Sequence, residues 1–292
     1  MTAVVLAGAA LFAWHLGSRS GLGGPDDTQV VTNGPVPRTS TPPTAGARLL
    51  AGPPADPFAG TPANRWADGA AGITLPGAVS HGPFTASEVA AAYATTRKLL
   101  IAQNLNHRTL LGGPPTAFAD VLTAQQRTAF IAGLDKISLN KQGNPLSTRN
   151  WVASFAPGTT TMIGTVIKVH GTMSARSETD KGRTVLDINV DYRFVYAVEP
   201  PHAPADWMRI VGQVSGYVEF NDWQDPGGPI QPWDISAFPA EAGARCGMTD
   251  GYNHPDYPDG PPSKVQPTGT PVNPYSMSNP RETGVCQRTT GT

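Results

Sequence analysis

Three long stretches of the sequence, at 161–176, 183–198 and 207–221, alternate between apolar and polar side chains with a period of two residues. Alternation of this kind predicts β-strands that pack one face against a core and turn the other towards solvent. The second stretch carries its apolar face on Leu186, Ile188, Val190, Tyr192, Phe194, Tyr196 and Val198, and its polar face on Asp187, Asn189, Asp191 and Arg193. A change on the polar face, such as Asp191→Ala, is expected to lower the free energy of unfolding by less than about 1 kcal/mol.

The other two stretches divide into faces in the same way. In the third, the apolar face consists of Met208, Ile210, Val214, Val218 and Phe220, opposite Arg209, Gln213 and Glu219. In the first, Thr165, Ile167, Val169 and Met173 lie opposite Lys168 and His170. Asp180-Lys181-Gly182-Arg183 predicts a hairpin turn between the first two strands. Because the ionisable side chains fall on the solvent face, we expect no acid–base catalysis by this part of the chain.

Helices are predicted before the strands. Thr85 and Glu88 have the spacing of a capping box, and apolar residues then recur along one helical face as far as Leu105. A second helical stretch is expected at 116–122, and Thr123 with Gln126 forms another possible capping box. Helices followed by long alternating strands predict an α+β fold, with the helices packed on one face of a curved antiparallel sheet.

Glycine and proline set the domain organisation. The chain holds 32 Gly and 30 Pro, and they concentrate at its two ends, where the composition is typical of irregular segments. We therefore predict a disordered tether at 18–62, the α+β domain at 63–221 and an irregular tail at 222–292. Trp66, Ile73 and Leu75 are expected to pack on the edge of the domain, and Trp223, Trp233 and Phe238 to anchor the tail against the sheet.

The first 17 residues contain an apolar run, Thr2–Gly17, in which His15 is the ionisable residue. A membrane anchor, a cleaved secretory signal and a buried core helix all fit such a run. No Lys or Arg precedes it, which argues against a signal peptide, and the segment after it is too polar to pack around a core helix. A single-pass anchor with the remainder outside the cytoplasm is the interpretation that we carry forward.

Charge argues against a nucleic-acid partner. Charged residues make up only 15% of the chain, and the formal net charge is −1. A protein that binds nucleic acid through its charge needs a basic excess to meet the phosphates.

The chain has two cysteines, Cys246 and Cys286, both in the Gly/Pro-rich tail. An even number of cysteines in a chain with an expected export segment favours a disulfide, whereas a cytosolic chain would keep two free thiols. A covalent link would compensate for a tail that buries little apolar surface.

Candidate chemical groups are few. Asp187, Asn189 and Asp191, with His170 on the next strand, could form a carboxylate site, and Asp250, His254, Asp256 and Asp259 lie together in a turn-rich stretch. A solvated sheet face and a polar loop explain both patterns more simply, so no catalytic residue, cofactor site or metal ligand is predicted. Tyr93, Tyr192, Phe194 and Tyr196 are possible lining residues of an internal cavity, or ordinary core residues.

Three stretches resemble an uncharacterised actinobacterial family of membrane-anchored proteins: FAGTPANRWADGAAGITLP (58–76), VAAAYATTRKLLIAQNLNHRTLLGG (89–113) and DYRFVYAVE (191–199). The order of the elements resembles the NTF2-like fold, a cone-shaped α+β roll. The resemblance implies an extracytoplasmic domain on a membrane tether, and it brings no catalytic residues.

Three functions are compatible with this organisation. The first is a non-enzymatic domain that acts by protein–protein contact in the cell envelope, an arrangement also found in membrane-tethered components of secretion machines. The second is small-molecule binding or catalysis inside the cone. The third is binding to the cell envelope through the aromatic C-terminal flank.

Overall fold

A computed structural model describes residues 52–134, 136–137, 147–180, 182–278 and 286–291. The proposed anchor at 1–17 and most of the proposed tether lie outside these residues. The described residues belong to one compact unit, Pro43–Thr292. Within the described ranges, none of the helices combines the length and apolar character needed to span a bilayer.

In the described part of the chain, four helices precede the long strands: α1 (Ala86–Asn104), α2 (His107–Leu110), α3 (Thr116–Ala119) and α4 (Ala124–Gly133). Both predicted capping boxes are confirmed. The Thr85 hydroxyl accepts from the Glu88 N–H at 3.3 Å, and the Thr85 N–H donates to the Glu88 carboxylate at 2.8 Å. Thr123 and Gln126 make the same reciprocal pair at the start of α4. Short 3-10 turns lie at Pro62–Arg65, Gly69–Gly72, Thr148–Trp151 and Pro204–Asp206.

The predicted antiparallel sheet is present and has more strands than the sequence indicated. Its strands are β1 (Ala67–Asp68), β2 (Thr161–Asp180), β3 (Arg183–Glu199), β4 (Met208–Asn221), β5 (Gln231–Ile235) and β6 (Pro239–Ala242). The order is β1-β2-β3-β4-β5, and β6 also pairs with β4 beside β5. A separate parallel pair is formed by β7 (Thr268–Val272) and β8 (Gln287–Thr289). The fold class is α+β.

Two glycines shape the sheet. Gly164 has a φ of +70° and lies where the register between β2 and β3 shifts, so β2 bends there. Gly216 in β4 lies against the Ser236 carbonyl, where a Cβ would collide with backbone. This close approach coincides with the break between β5 and β6, which divides the edge of the sheet into two short strands.

The inner face of the sheet packs against the helices as predicted. All seven apolar residues of the second predicted strand, from Leu186 to Val198, are buried in one hydrophobic cluster with Val89, Leu100 and Phe130 from the helices. Ile167, Val169 and Met173 of β2 join the same cluster. The inward register of β3, of β4 and of β2 from Ile167 onwards is therefore confirmed, whereas Thr165, predicted to face inward, is exposed because the register of β2 shifts between Met162 and Ile167.

The prediction that the other face of β3 is open to solvent is wrong for its second half. Val195 and Ala197 are buried in a second cluster with Val211 of β4, Phe58 and Tyr275. Arg193 has only 1% of its surface exposed. The physical reason is that the chain before the helices and the chain near its C-terminal end both fold back onto the outer face. Glu219, also predicted to face solvent, is buried as well.

The two flanks contribute to the fold. The packed part of the chain begins before residue 63, since Phe58 is buried, and Trp66 stacks on His170 with ring centroids 5.3 Å apart. Ile73 is buried as expected, whereas Leu75 is exposed. Phe238 stacks on Trp151 at 5.3 Å, and Trp223 packs on Trp233 at 5.5 Å.

Candidate functional site

The predicted disulfide is present. Cys246 and Cys286 are bonded, with their Cα atoms 5.8 Å apart and a sequence separation of 40 residues. Cys246 forms a β-bridge with Val265, and the Cys286 carbonyl accepts from the Thr268 N–H at 2.9 Å. The bond therefore joins the segment that follows β6 to the β7–β8 pair.

A cleft of about 620 Å³ lies between the sheet and this tail. Its first wall comes from β4 and β6 and includes Val211, Gln213, Ala240 and Ala242. Its second wall comes from the tail and includes Pro271, Asn273, Pro274, Ser276, Gln287, Thr289 and Thr290. Both half-cystines line the cleft, so the disulfide ties one wall to the other.

The lining is mostly uncharged and combines apolar side chains with polar ones. Met, Val, Ala, Pro and half-cystine side chains lie beside amides and hydroxyls, and Glu241, Asp256 and Arg288 are its charged members. Asp256 forms an ion pair with Arg245 at 3.3 Å, and the Arg288 Nε donates to the Pro267 carbonyl at 3.2 Å. The Gln287 side-chain carbonyl is buried, and no described residue donates a hydrogen bond to it. The cleft therefore favours an uncharged ligand that supplies hydrogen-bond donors.

A buried arginine anchors the second wall to the sheet. The Arg193 guanidinium donates to the Ser276 carbonyl at 2.9 Å and to the Tyr192 carbonyl at 3.2 Å, and it pairs with the Asp191 carboxylate. Ser276 is itself a lining residue. The position of this wall thus depends on β3 as well as on the disulfide.

A row of carboxylates crosses the outer face at the other end of the strands. Asp187 on β3 stands opposite Glu219 on β4, and Glu219 stands opposite Asp234 on β5. Burial, followed by the neighbouring Glu178 carboxylate, raises the pKa of Asp187 to about 6 against the opposing effect of Arg176. Burial and then the Asp187 charge raise the pKa of Glu219 to about 7, although Asn221 donates to its carboxylate at 3.0 Å.

The four residues considered for an internal cavity are all buried in the main core. The Tyr93 hydroxyl accepts from the Ala175 N–H at 2.8 Å, and the Tyr196 hydroxyl donates to the Asn104 carbonyl at 3.2 Å. The Tyr192 hydroxyl has no hydrogen-bond partner in the described part of the chain, and burial raises the pKa of Tyr192 to about 12. Phe194 packs beside Tyr192 with ring centroids 6.3 Å apart. None of the four lines the cleft.

The side chains of Asp250, His254, Asp256 and Asp259 in the acidic loop do not converge on one point. His254 pairs with Asp250 at 2.9 Å, Asp256 pairs with Arg245, and the Asp259 N–H donates to the Asp206 carboxylate at 3.0 Å. Over residues 52–134, 136–137, 147–180, 182–278 and 286–291, no three His, Cys, Asp or Glu side chains are grouped to hold a metal ion. These residues therefore make separate polar contacts, one within the loop and two with Arg245 and Asp206 outside it.

Sequence reasoning missed the cleft, because its walls come from strands and tail segments far apart in the chain. The sequence feature that pointed to the cleft was the cysteine pair, because Cys246 and Cys286 both line it. Glu219 was also missed, since the register that sets it opposite Asp187 depends on long-range pairing. Comparison of this chain with protein-family models, with curated proteins and with solved structures gives no match.

Proposed function

We propose that this chain is a membrane-tethered, extracytoplasmic, non-enzymatic domain with an NTF2-like core, and that it acts by protein–protein contact in the cell envelope. The apolar run Thr2–Gly17 supports the tether, and the order of helices and long antiparallel strands supports the NTF2-like assignment. The cleft beside the disulfide is the proposed contact surface.

The observation that carries this proposal is the Cys246–Cys286 disulfide at the border of the cleft. Disulfides persist in oxidising compartments and are rare in the cytosol. This bond closes a loop of about 40 residues and holds a Gly/Pro-rich tail against the sheet. An extracytoplasmic location gives the bond the conditions it needs, and the bond in turn keeps the cleft walls in place.

The composition of the cleft also supports a role in protein–protein contact. Its lining is largely uncharged, with apolar side chains, amides and hydroxyls beside three charged residues, and such a surface recognises shape and neutral polar groups more than ions. Arg193 and the disulfide fix the tail from two sides, so the surface is preformed. A preformed surface reduces the entropy lost on binding.

Fractionation of the native host tests the location. The full-length protein should sediment with membranes and be released by detergent, not by high salt or carbonate, because its attachment is an apolar segment. Recovery of a shortened, soluble form from the culture medium would replace the anchor with a cleaved signal. Recovery of intact protein in the cytosol would contradict the proposal.

Photo-cross-linking in cells tests the contact surface. A photoreactive amino acid at Gln213, inside the cleft, should give a discrete adduct with a second protein. The same residue at Thr165, which is exposed on β2 and outside the cleft, is the matched control. Equal adducts from both positions, or none from Gln213, would contradict contact through the cleft.

A second candidate function is small-molecule binding between α1 and the sheet. It is favoured by three buried polar atoms without hydrogen-bond partners among the described residues: the Tyr192 hydroxyl, Thr96 Oγ1 and Asn104 Oδ1. A bound molecule would supply those partners. Native mass spectrometry of protein purified from its host should then show a retained small molecule, whereas a mass equal to that of the chain alone would count against this candidate.

A further inference from the structure

We propose that the segment 74–80 is a second contact surface, through which two copies of this chain pair as antiparallel β-strands. None of its residues lines the cleft, so this inference goes beyond the contact proposed above. The pairing is centred on Gly77, so that Leu75 of one copy stands opposite Val79 of the other. Such an interface is isologous, because each copy contributes the same residues to it.

The segment is an extended chain that belongs to none of the described strands. Gly72 lies against Val169, and Gly82 lies against Ser177, which is eight residues further along β2. Eight residues of a strand cover roughly 26 Å, and ten residues of chain reach at most about 36 Å, so the chain from Gly72 to Gly82 is largely extended. Nevertheless, 74–80 has neither helical nor strand structure and does not pair with β2.

The backbone of the segment has unpaired hydrogen-bonding groups. Among the described residues, none hydrogen-bonds to a backbone N–H or C=O group anywhere in 74–80. Unpaired groups on an extended chain are a template for strand addition. Pro76 has no N–H, but successive residues of a strand direct their backbone groups to opposite edges. The edge formed by Leu75, Gly77 and Val79 therefore keeps every donor, and the proposed pairing uses that edge.

The exposed large side chains of the segment are apolar. Leu75 has 49% and Val79 has 60% of its surface exposed, whereas Ala78 packs against the main hydrophobic cluster. Leu75, Gly77 and Val79 thus share the outward side, as alternate residues of an extended chain do. Pairing about Gly77 places each leucine beside a valine of the other copy and shields both from water. Since Gly77 has no side chain, the two backbones can approach closely at the axis.

Both ends of the segment are fixed to the core. Ile73 is buried, and Arg97 on α1 donates from Nε to the Ile73 carbonyl at 2.8 Å and from Nη2 to the Ala70 carbonyl at 2.9 Å. At the other end Phe84 is buried, directly before the capping box of α1. The extended form is therefore held in place before a partner arrives, which reduces the entropy lost on pairing.

The order of side chains in the segment indicates a second copy as the occupant. The sequence of 74–80, TLPGAVS, has the same kinds of side chain on either side of Gly77: Pro76 and Ala78, then the branched Leu75 and Val79, then the hydroxyls of Thr74 and Ser80. An antiparallel pair about Gly77 therefore matches apolar residues with apolar residues and hydroxyls with hydroxyls.

Charge and interface size also bear on the occupant. The segment holds no charged residue, so two copies meet without repulsion, and the charges that commonly protect a strand edge are missing. Seven residues a side fall below the about 20–30 of a stable interface, so we expect a weak dimer. Attachment of both copies to one membrane, as proposed above, raises their effective concentration and compensates for the small interface.

Cross-linking between introduced cysteines tests the proposal. Full-length protein carrying Gly77→Cys is mixed with lipid vesicles and oxidised with copper phenanthroline. Directly opposed residues of an antiparallel ladder have Cα atoms about 5.5 Å apart, within the range of a disulfide. A Cβ at Gly77 meets no atom within 4 Å, so the substitution fits the fold. The yield of disulfide-linked dimer should be at least tenfold higher than from Thr165→Cys, an exposed position on β2.

Proline substitutions in the Gly77→Cys protein separate strand pairing from random collision. Val79→Pro removes an N–H from the pairing edge and should lower the yield of dimer at least tenfold. Ser80→Pro removes an N–H from the opposite edge and should leave the yield within twofold. Equal yields from these two proteins, equal yields from Gly77→Cys and Thr165→Cys, or a Gly77→Cys cross-link in host membranes only to a different protein would overturn the proposal.

Flotation of the vesicles reports membrane attachment separately from pairing. Protein that floats with the vesicles without forming the dimer would overturn strand pairing and keep the anchor. Protein that stays in solution would contradict the anchor, and the same cross-linking at increasing protein concentration then decides the pairing. Contact through the cleft is measured independently by the photoreactive residue at Gln213.

Discussion

Asp187 and Glu219 stand directly opposite each other on β3 and β4, so two carboxyl groups that would both be ionised in water meet on a shielded part of the sheet. Asp234 on β5 lies next in the same row, Glu178 and Asp180 on β2 add negative charge, and Arg176 opposite Asp187 offsets part of it. Like charges opposite each other destabilise a sheet. The Asp187 and Glu219 carboxylates therefore bind protons more tightly in the folded protein than in the unfolded chain.

The stability of the domain should fall as the pH rises from about 4 to about 7. The pKa of Asp187 is raised to about 6 and that of Glu219 to about 7, both above their values in an unfolded chain. The native state then holds more protons than the unfolded state across this window, so the free energy of unfolding decreases with increasing pH and levels off above it. Urea unfolding at a series of pH values measures this slope.

Glu219→Gln should flatten this profile and stabilise the domain at pH 8 by roughly 2–3 kcal/mol, because a neutral amide keeps the bond from Asn221 and removes the buried charge. Asp225→Asn, on an exposed loop, is the control and should leave the profile unchanged. A Glu219→Gln protein that is less stable at pH 8 than the wild type would contradict the raised pKa.

Asp191→Ala should lower the free energy of unfolding by about 3 kcal/mol. Asp191 is the carboxylate partner of Arg193, whose side chain is only 1% exposed, and removal of one partner leaves a buried charge uncompensated. This expectation corrects the value of under about 1 kcal/mol inferred from the sequence, which placed Asp191 on an open face. Chemical denaturation of this variant beside Asp225→Ala measures the difference, and equal stability of the two would contradict the buried pair.

Two tyrosines on the inner side should respond oppositely to loss of the hydroxyl group. Tyr93→Phe removes the acceptor for the Ala175 N–H and should destabilise the domain by about 1–2 kcal/mol. Tyr192→Phe removes a buried hydroxyl without a described partner and should stabilise it by up to about 1 kcal/mol. Thermal unfolding of both variants compares them. Destabilisation by Tyr192→Phe would mean that a bound molecule satisfies the hydroxyl, and would favour the second candidate function.

Loss of the disulfide should free the tail without unfolding the sheet. Replacement of Cys246 and Cys286 by Ser removes a constraint on a loop of about 40 residues, which corresponds to roughly 4 kcal/mol of stability. Hydrogen exchange should increase first in β7 and β8, whose pairing depends on the bond, and least in β3. Uniform exchange across β3 and β8 would contradict a tail that is held mainly by the disulfide.

The face of the sheet that packs against the helices was predictable from the sequence, because the spacing of apolar residues along each element indicates which side is buried. The alternation from Leu186 to Val198 predicted the buried face of β3 correctly, and the spacing of Thr85 and Glu88 predicted the start of α1. The run Phe194–Val198 is apolar at every position, which was a signal that both faces of this part of the strand are covered.

The contacts on the opposite face of the sheet were not predictable in the same way. Arg193 is buried because Ser276, 83 residues later, reaches its guanidinium, and no local pattern encodes such a contact. Glu219 meets Asp187 only through the register of β3 with β4. The cleft was not predictable for the same reason, since its walls are brought together by strand pairing between distant segments and by a covalent bond.

The thiol state of the protein in its native host tests the central claim most directly, because the cleft and the extracytoplasmic location both depend on the Cys246–Cys286 bond. Cells are quenched in acid, and the protein is treated with a maleimide carrying a large polyethylene glycol, with and without prior reduction. We predict no mass shift without reductant and a shift of two adducts after reduction. Two adducts without reductant would show free thiols and would contradict the disulfide, the location inferred from it and the preformed cleft together.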